Sequence, residues 1–322
     1  MIERITELLT RNNIPSKELV LITVGTGGAY VYSADDKYVV KYAYQPDLDY
    51  EVCKQCRNEF YFYEICTKKN LDFIPEIIFQ TANDNEILLV MQKYTPIKVE
   101  EWDESLQKSA MELCARINAT DTTDFISIVQ SRENETGEKI INVGQDEKPY
   151  PLSLSYQNWV NLFVKFPGYI DAVLLEEMYK NFNNICSYGN KQFIPETLCH
   201  GDCHPQNFLK NGNKLIVCDW QGVNIGKGIG DVAFFISRGA DMDLKIDRNK
   251  LISDYTEALY KYANIHVNVS DFHNTVAVDE FSVSFRFWAQ YLQDSNINRV
   301  LNIYNTMVKN YKLILNIAGV TL

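Results

Sequence analysis

The N-terminal part of the chain alternates between helix-like and strand-like hydrophobic patterns. An amphipathic segment over residues 1–12 predicts an opening helix. The runs LVLITV, AYVYSA and KYVVKYA within residues 19–43 predict three strands with a turn at residues 34–36. A helix is expected over residues 49–68, and a hairpin of residues 76–80 and 86–93 follows. The pattern therefore predicts a small antiparallel sheet accompanied by helices.

Beyond the second hairpin the pattern is mainly helical. The helical segments are expected at residues 103–119, 154–166, 168–188, 250–265, 275–292 and 297–318. The exception is residues 206–218, where QNFLK and KLIVC flank an Asn-Gly-Asn turn, a strong hairpin signal. The polar stretch 130–150 is expected to be a loop or a small insertion.

The change from strands to helices divides the chain at a hinge near residues 91–96. We expect a β-rich N-terminal lobe over residues 1–94 and a larger, mainly helical C-terminal lobe over residues 95–322. A length of 322 residues suits one two-lobed enzyme. The expected fold class is α+β.

Composition and charge narrow the classes of function. Hydrophobic residues make up 46% and charged residues 23%, which is ordinary for a soluble globular protein. The net charge of −11 disfavours nucleic acid or an anionic membrane as a partner and is compatible with a cationic small molecule. No apolar run approaches a membrane span, and eight cysteines are too few for a disulfide scaffold. We therefore expect a reduced, cytoplasmic protein, either a monomer or a homodimer.

The densest group of chemically versatile side chains is the segment CHGDCHPQN, residues 199–207. Asp219 follows the apolar run LIVC at the end of the second hairpin strand. Because the hairpin turn folds this strand back on the first, Asn207 and Asp219 should lie close together, with Asp202 just beyond. Carboxylate and amide oxygens are ligands that Mg²⁺ prefers. The arrangement predicts Asp202 as the base for an attacking hydroxyl beside a magnesium–nucleotide site held by Asn207 and Asp219.

Other interpretations of the same segment stay open at this point. Cys199, His200, Cys203 and His204 are soft ligands for zinc, although no second Cys/His pair stands at a usual spacing. His200, Asp202 and His204 also suit half of a hydrolase metal centre, and a purely structural turn is a third alternative. We favour phosphoryl transfer over all three.

The N-terminal lobe offers an independent indication. Glu59 lies on the apolar stripe of its predicted helix, where an unpaired carboxylate would be costly to bury. Lys41 lies inside the strand KYVVKYA, on the same face as Val39 and Ala43. A strand lysine paired with a glutamate of the next helix is how kinases hold nucleotide phosphates. Two solvated surface charges are the alternative.

A short glycine-rich segment, Gly25-Thr26-Gly27-Gly28, separates the first two predicted strands. Backbone N–H groups in such a loop can approach phosphates. The spacing matches neither the dinucleotide-binding nor the P-loop pattern, and a plain hairpin turn explains it equally well.

Taken together, these residues resemble a known family. His200-Gly201-Asp202, then Asn207, then Asp219 after an apolar strand resemble the motifs of the aminoglycoside phosphotransferases, relatives of choline kinases with a two-lobed protein-kinase-like fold. The segment GDVA that begins at Gly230 is similar to the family's segment after the metal-binding strand, where Asp231 would anchor the catalytic loop.

The resemblance implies a role for each matching residue. Asp202 would be the catalytic base, and Asn207 and Asp219 the magnesium ligands. Lys41 would contact the nucleotide phosphates with Glu59 as its partner.

The resemblance also implies how the rest of the nucleotide is held. Gly25, Gly27 and Gly28 would cradle the phosphates. The hinge Met91-Gln92-Lys93-Tyr94 would hold adenine through its backbone, with Met91 against the base. The family pattern often has a second acid where this chain has Gln221.

The function that follows is transfer of the γ-phosphate of ATP or GTP, with Mg²⁺, to a hydroxyl of a small, amino-substituted acceptor such as an aminoglycoside. Candidate acids for the acceptor pocket are Asp241, Asp243, Asp279 and Glu280. The alternatives are a kinase of an ordinary metabolite such as choline or a sugar, and a nucleotide-binding regulator without turnover. A protein kinase is disfavoured because no Ala-Pro-Glu-like segment follows Asp219.

Overall fold

The computed structural model describes most of the chain. The described residues are 1–14, 16–24, 29–48, 50–126, 128, 151–190 and 196–318. The predicted glycine-rich loop and the predicted polar insertion at 130–150 lie outside these ranges.

A five-stranded antiparallel sheet forms the N-terminal lobe, with strand order β1-β2-β3-β5-β4. Its elements are α1 (Ile2–Arg11), β1 (Leu19–Val24), β2 (Tyr30–Ala34), β3 (Tyr38–Tyr44), α2 (Tyr50–Lys68), β4 (Ile77–Ala82) and β5 (Glu86–Gln92). Asp35 and Asp36 both have positive φ in the tight turn between β2 and β3, across which the N–H of Lys37 donates to the carbonyl of Ala34 at 3.0 Å. The predicted strands and both predicted helices of this lobe are confirmed.

The two faces of the sheet pack against different helices. Residues opposite each other on neighbouring strands share a face, and Lys41 pairs with Leu89 while Val39 pairs with Met91. This face packs with the buried stripe of α2 in one apolar cluster. The other face packs with α1, and Arg4 of that helix holds the buried Glu86 at 2.6 Å. Lys41 therefore points to the side of the sheet that α2 covers.

The C-terminal lobe is mainly helical. Its helices are α3 (Glu104–Asn118), α4 (Leu152–Lys165), α5 (Ala172–Asn190), α6 (Ile229–Asp241), α7 (Arg248–Ala263), α8 (Val269–Val283) and α9 (Ile297–Ala318). Helix α8 continues through a π-helical turn, Ser284–Trp288, as far as Tyr291. A second apolar core fills the space between α4, α5, α8 and α9. Among the described residues, none of the helices is both long enough and apolar enough to cross a bilayer.

Short strands carry the polar cluster of the C-terminal lobe. The predicted hairpin is confirmed as β8 (Phe208–Asn211) and β9 (Lys214–Val217), with Gly212 at a positive φ in the turn, and β6 (Thr95–Pro96) pairs with β8. A second pair, β7 (Glu196–Cys199) with β10 (Asn224–Lys227), was not predicted, nor was α6. The strands of this pair are four residues long and far apart in sequence, so no local turn signal marks them.

Candidate active site

Lys41 joins the two lobes at the centre of the candidate site. Its Nζ lies 2.6 Å from Glu59 Oε2 and donates a hydrogen bond of 2.8 Å to Asp219 Oδ1. The other oxygen of Glu59 accepts the backbone N–H of Trp220 at 3.1 Å. Only 12% of the Lys41 side chain and 1% of the Glu59 side chain are exposed. The predicted contact between Lys41 and Glu59 is present, and it extends to Asp219.

The charges of this triad stabilise one another. Burial by itself would lower the pKa of Lys41, but the carboxylates of Glu59 and Asp219 outweigh it and raise that pKa. Burial raises the pKa of Glu59, and Lys41 opposes the rise. Burial also tends to raise the pKa of Asp219, but Lys41 reverses the effect, so the net shift is downward. The lysine is therefore a permanent cation at neutral pH.

Helix α6 anchors the loop that carries Asp202. Both oxygens of the buried Asp231 accept backbone N–H groups, that of His200 at 2.8 Å and that of Gly201 at 2.9 Å. Gly201 has a φ of +80°, and a Cβ there would lie 2.1 Å from the carbonyl oxygen of Gly222. Only glycine fits this position, because the two loop segments touch backbone to backbone. Burial raises the pKa of Asp231.

His200 is a structural residue of this loop. Its ring is fully buried against the indole of Trp220, with centroids 4.4 Å apart. Nε2 lies 2.9 Å from the carbonyl oxygen of Cys218, and Nδ1 accepts the backbone N–H of Asp202 at 3.2 Å. The proton therefore resides on Nε2. Burial lowers the pKa of His200, so the ring is neutral and ties the Asp202 loop to the strand that precedes Asp219.

The residues predicted as catalytic base and metal ligands, Asp202, Asn207 and Asp219, are linked by hydrogen bonds of the backbone and of Asn207. Asn207 and Asp219 are brought together because the backbone N–H of Cys218 donates to the carbonyl of Asn207 at 2.9 Å. Asn207 Nδ2 donates to the carbonyl of Asp202 at 2.9 Å. The side chains of Asp202 and Asp219 are 44% and 43% exposed. Asp219 has a left-handed backbone with φ 65°, which is strained for a residue other than glycine and turns the chain sharply after β9.

The predicted adenine hinge lies at the end of β5. Met91 is buried on the Lys41 side of the sheet. The backbone N–H groups of Gln92 and Lys93 donate to Glu76 and Lys37 carbonyls, each at 2.9 Å, so two amide donors are already used within the sheet. The hydroxyl of Tyr94 accepts a backbone N–H at 3.4 Å. Adenine binding by this segment stays a prediction, as does phosphate binding by Gly25, Gly27 and Gly28, which lie outside the described residues.

Solved structures of small-molecule kinases share this architecture. The GDP complex of wild-type aminoglycoside 2'-phosphotransferase-IIIa has a TM-score of 0.61 at 11% identity and covers 97% of this chain and 98% of its own. The streptomycin–ATP complex of APH(2")-IIa has a TM-score of 0.55 at 15% identity, and the match covers 98% of this chain and 95% of that one. Choline kinase LicA from Streptococcus pneumoniae has a TM-score of 0.54 at 14% identity, and the match covers 97% of this chain and 99% of that one. The chain has the two-lobed protein-kinase-like fold.

Sequence comparison reaches a smaller part of this protein-kinase-like chain. The Ecdysteroid kinase-like family (EcKL) matches residues 163–266, roughly a third of the length. This range contains Asp202, Asn207 and Asp219. No curated protein matches the sequence. At the level of fold, the resemblance to aminoglycoside phosphotransferases and choline kinases is confirmed.

The zinc and hydrolase interpretations find no support in the protein-kinase-like geometry. Within the described ranges, no three His, Cys, Asp or Glu side chains are grouped as metal ligands. The Cys199 thiol lies beside Thr197, and the Cys203 thiol lies 3.5 Å from that of Cys114 in the core. Both nitrogens of His200 are engaged in the loop. The soft side chains of the segment therefore point to different neighbours.

Two of the four acids predicted for an acceptor pocket are neutralised by arginines. Asp241 makes a two-pronged ion pair with Arg299, at 2.7 and 2.8 Å, and a further contact with Arg238. Glu280 is buried and contacts Arg248 at 3.3 Å. Asp243 is exposed, and Asp279 is partly buried. The last two are therefore the acids of this group that remain for a cationic ligand.

Asp279 is expected to make stability depend on pH. Burial raises its pKa to about 7, although Lys227 opposes the shift. Because the folded pKa lies above the unfolded one, the folded protein keeps a proton that the unfolded chain releases between about pH 4 and 7, so stability falls as pH rises through that window. Asp279→Asn removes the effect and should stabilise the protein by about 1–2 kcal/mol at pH 8, and less at pH 5.

Urea unfolding of the wild type and the variant at both pH values measures this difference. Asp243→Asn is the matched control, because Asp243 is exposed and asparagine tolerates its positive φ. An equal gain at pH 5 and pH 8 would contradict the assignment.

Sequence reasoning missed the residues that support the loop from a distance. Asn118 of α3 donates to the carbonyl of Leu198 at 2.7 Å, and the buried Tyr255 hydroxyl of α7 donates to Asn118 at 2.7 Å. A Cβ on Gly228 would lie 2.5 Å from the Asn118 side chain. No local signal marks these residues, because their partners are far away in the sequence.

Proposed function

We propose that this protein is a small-molecule kinase that transfers the γ-phosphate of ATP or GTP to a hydroxyl of a small, amino-substituted acceptor. The observation that carries the proposal is the position of Lys41, whose ammonium group contacts Glu59 of α2 and Asp219, which follows β9. The lysine expected to bind the nucleotide phosphates is thereby in contact with a candidate metal ligand, as phosphoryl transfer requires.

Lys41, Asp202 and Asp231 have different roles in the proposed reaction. Lys41 binds and orients the nucleotide phosphates. Asp202 accepts the proton of the acceptor hydroxyl as the acceptor oxygen bonds to the γ-phosphorus and the bond from that phosphorus to the β–γ bridging oxygen breaks. Asp231 keeps the loop of Asp202 in place through two backbone hydrogen bonds. The nucleoside diphosphate leaves with the electron pair of the broken bond.

Asn207 and Asp219 fit the needs of a magnesium ion. Nδ2 of Asn207 donates a hydrogen bond within the loop, which leaves Oδ1 of Asn207 for a metal ion. Oδ1 of Asp219 accepts from Lys41, which leaves Oδ2 for the ion. One amide oxygen and one carboxylate oxygen are a suitable protein share for Mg²⁺, which takes its other ligands from phosphates and water. When bound, the ion would neutralise charge on the transferring phosphoryl group.

The acceptor class rests on charge. A net charge of −11 favours an amino-substituted acceptor over an anionic one. Because Arg299 and Arg248 occupy Asp241 and Glu280, only two of the four candidate acids named above remain for an acceptor with several amino groups. This observation favours the second candidate, a kinase of a singly charged metabolite such as choline or ethanolamine, over an aminoglycoside. We also propose a cytoplasmic protein that acts as a monomer or a homodimer.

Nucleoside diphosphate release tests the proposal. Purified protein is incubated with Mg²⁺ and ATP or GTP against kanamycin, streptomycin, choline, ethanolamine and amino sugars. We expect acceptor-dependent release of ADP or GDP that Asp202→Asn eliminates. Release without any dependence on Asp202, or a protein that binds no magnesium nucleotide, would contradict the proposed function.

A further inference from the structure

His204 lies beside the proposed base and has no task in the mechanism above. It stands two residues after Asp202, and its backbone carbonyl accepts the N–H of Asn207 at 2.9 Å, at the start of the turn Pro205–Asn207. Its side chain is 13% exposed. Nε2 lies 3.5 Å from Oδ2 of Asp202. This separation exceeds that of a formed hydrogen bond, but such catalytic contacts are often long before substrate binds and tighten in the complex.

The other ring nitrogen of His204 indicates where the proton resides. Nδ1 is buried and makes no hydrogen bond within the described part of the chain, and the ring faces Phe234 with centroids 6.1 Å apart. A buried N–H group without an acceptor is rarer and more costly than a buried lone pair without a donor. In the neutral ring the proton therefore resides on Nε2, which points to Asp202.

The rings of His200 and His204 contact different kinds of group. His200 uses Nδ1 and Nε2 for backbone groups, so it shapes the loop itself. His204 contacts the Asp202 carboxylate and no backbone group through its ring among the described residues. The two carboxylate oxygens of Asp202 are equivalent until something distinguishes them, and Nε2 of His204 lies 3.5 Å from Oδ2.

We propose that His204 is a positioning residue for Asp202. Its Nε2–H donates to Oδ2 and holds the carboxylate plane, so that Oδ1 faces the acceptor hydroxyl and takes its proton. His204 keeps its own proton throughout, and the hydroxyl proton ends on Asp202. The inference rests on the proposed function, because it assumes that Asp202 is the base.

Two amide substitutions separate this role from simple packing. The side-chain nitrogen of glutamine reaches the position of Nε2, whereas that of asparagine reaches only the position of Nδ1. We expect His204→Asn and His204→Leu to lower kcat by about 10- to 100-fold, with little change in KM for Mg·ATP, and His204→Gln to recover most of the loss. ADP release is measured with Mg·ATP and each acceptor of the panel, and with water as the basal acceptor.

Asp202→Asn in the same assay distinguishes a failure of the positioning role from a failure of the proposed function. If Asp202→Asn is inactive and His204→Leu keeps full kcat, the positioning role is wrong and the proposed function stands. If glutamine and asparagine lower kcat equally, His204 is a packing residue and the inference is overturned. If Asp202→Asn itself keeps full kcat, the proposed function fails, and the role of His204 fails with it.

The tautomer of His204 is a readout that needs no turnover. The chain has only four histidines, so ¹⁵N chemical shifts of the ring nitrogens are assignable by comparison with the His204→Gln spectrum. For the neutral ring we expect the proton on Nε2. A proton on Nδ1 of the neutral ring would overturn the inference even if no acceptor supports turnover.

Discussion

Asp202→Asn is expected to lower kcat by about a hundredfold to ten-thousandfold, the usual contribution of a positioned general base. The amide has nearly the shape of the carboxylate but cannot take the proton of the acceptor hydroxyl. Nucleotide affinity should change little, because Lys41 and Asp219 are untouched and the Asp202 side chain is 44% exposed. Steady-state kinetics combined with a titration of Mg·ATP separates the two effects.

Asp84→Asn is the matched control for this experiment. Asp84 is exposed in the turn between β4 and β5, and the same exchange of carboxylate for amide there should leave kcat unchanged. If Asp202→Asn keeps near-normal kcat, or if it loses nucleotide binding as well as turnover, Asp202 is not the base.

Lys41→Ala is expected to lower both stability and nucleotide affinity. Glu59 is 1% exposed, and without Lys41 its carboxylate is left buried without a cation. Breaking a buried ion pair from one side typically costs about 3–5 kcal/mol. The loss should be larger at pH 8 than at pH 5, because burial raises the pKa of Glu59 and protonation at low pH relieves the unpaired charge. Urea unfolding without nucleotide measures the stability.

The double variant Lys41→Ala with Glu59→Gln separates the two effects of the lysine. Glutamine keeps an acceptor for the backbone N–H of Trp220 and has no charge to bury. We expect the double variant to recover most of the stability, while nucleotide affinity stays at least about tenfold below that of the wild type. Equal losses of stability in the single and double variants would contradict the buried ion pair. Unchanged nucleotide affinity would contradict the phosphate-binding role.

Local periodicity predicted most of the elements, because each of those signals lies within one short segment. The stripe of α2, with Cys56, Glu59 and Tyr63, is buried as its spacing indicated. The Asn-Gly-Asn turn placed β8 against β9 and so brought Asn207 close to Asp219. The strands β7 and β10 and the helix α6 had no comparable local signal and were missed.

The residues of the candidate site also fall into those that local spacing identifies and those that it does not. His200, Gly201, Asp202, Asn207 and Asp219 are identifiable from spacing, because one loop and one hairpin position all of them. Their surroundings come from elsewhere in the chain. Asp231 reaches back to the loop from α6, and Phe234 of the same helix faces the ring of His204. Composition also suggested Asp241 and Glu280 as free acids, but helices remote in sequence supply the arginines that neutralise them.

The sequence by itself determined the fold class, the order of most elements and the identity of the residues proposed for catalysis. Only the tertiary structure decided that Lys41 contacts Asp219 across 178 positions, that Asn118 of α3 holds the carbonyl of Leu198 before the loop of Asp202, and that His204 rather than His200 faces the side chain of Asp202. The physical reason is the separation in sequence between the residues that interact. Helices and turns follow from interactions between residues a few positions apart, whereas ion pairs and buried polar contacts depend on which distant segments the apolar cores bring together.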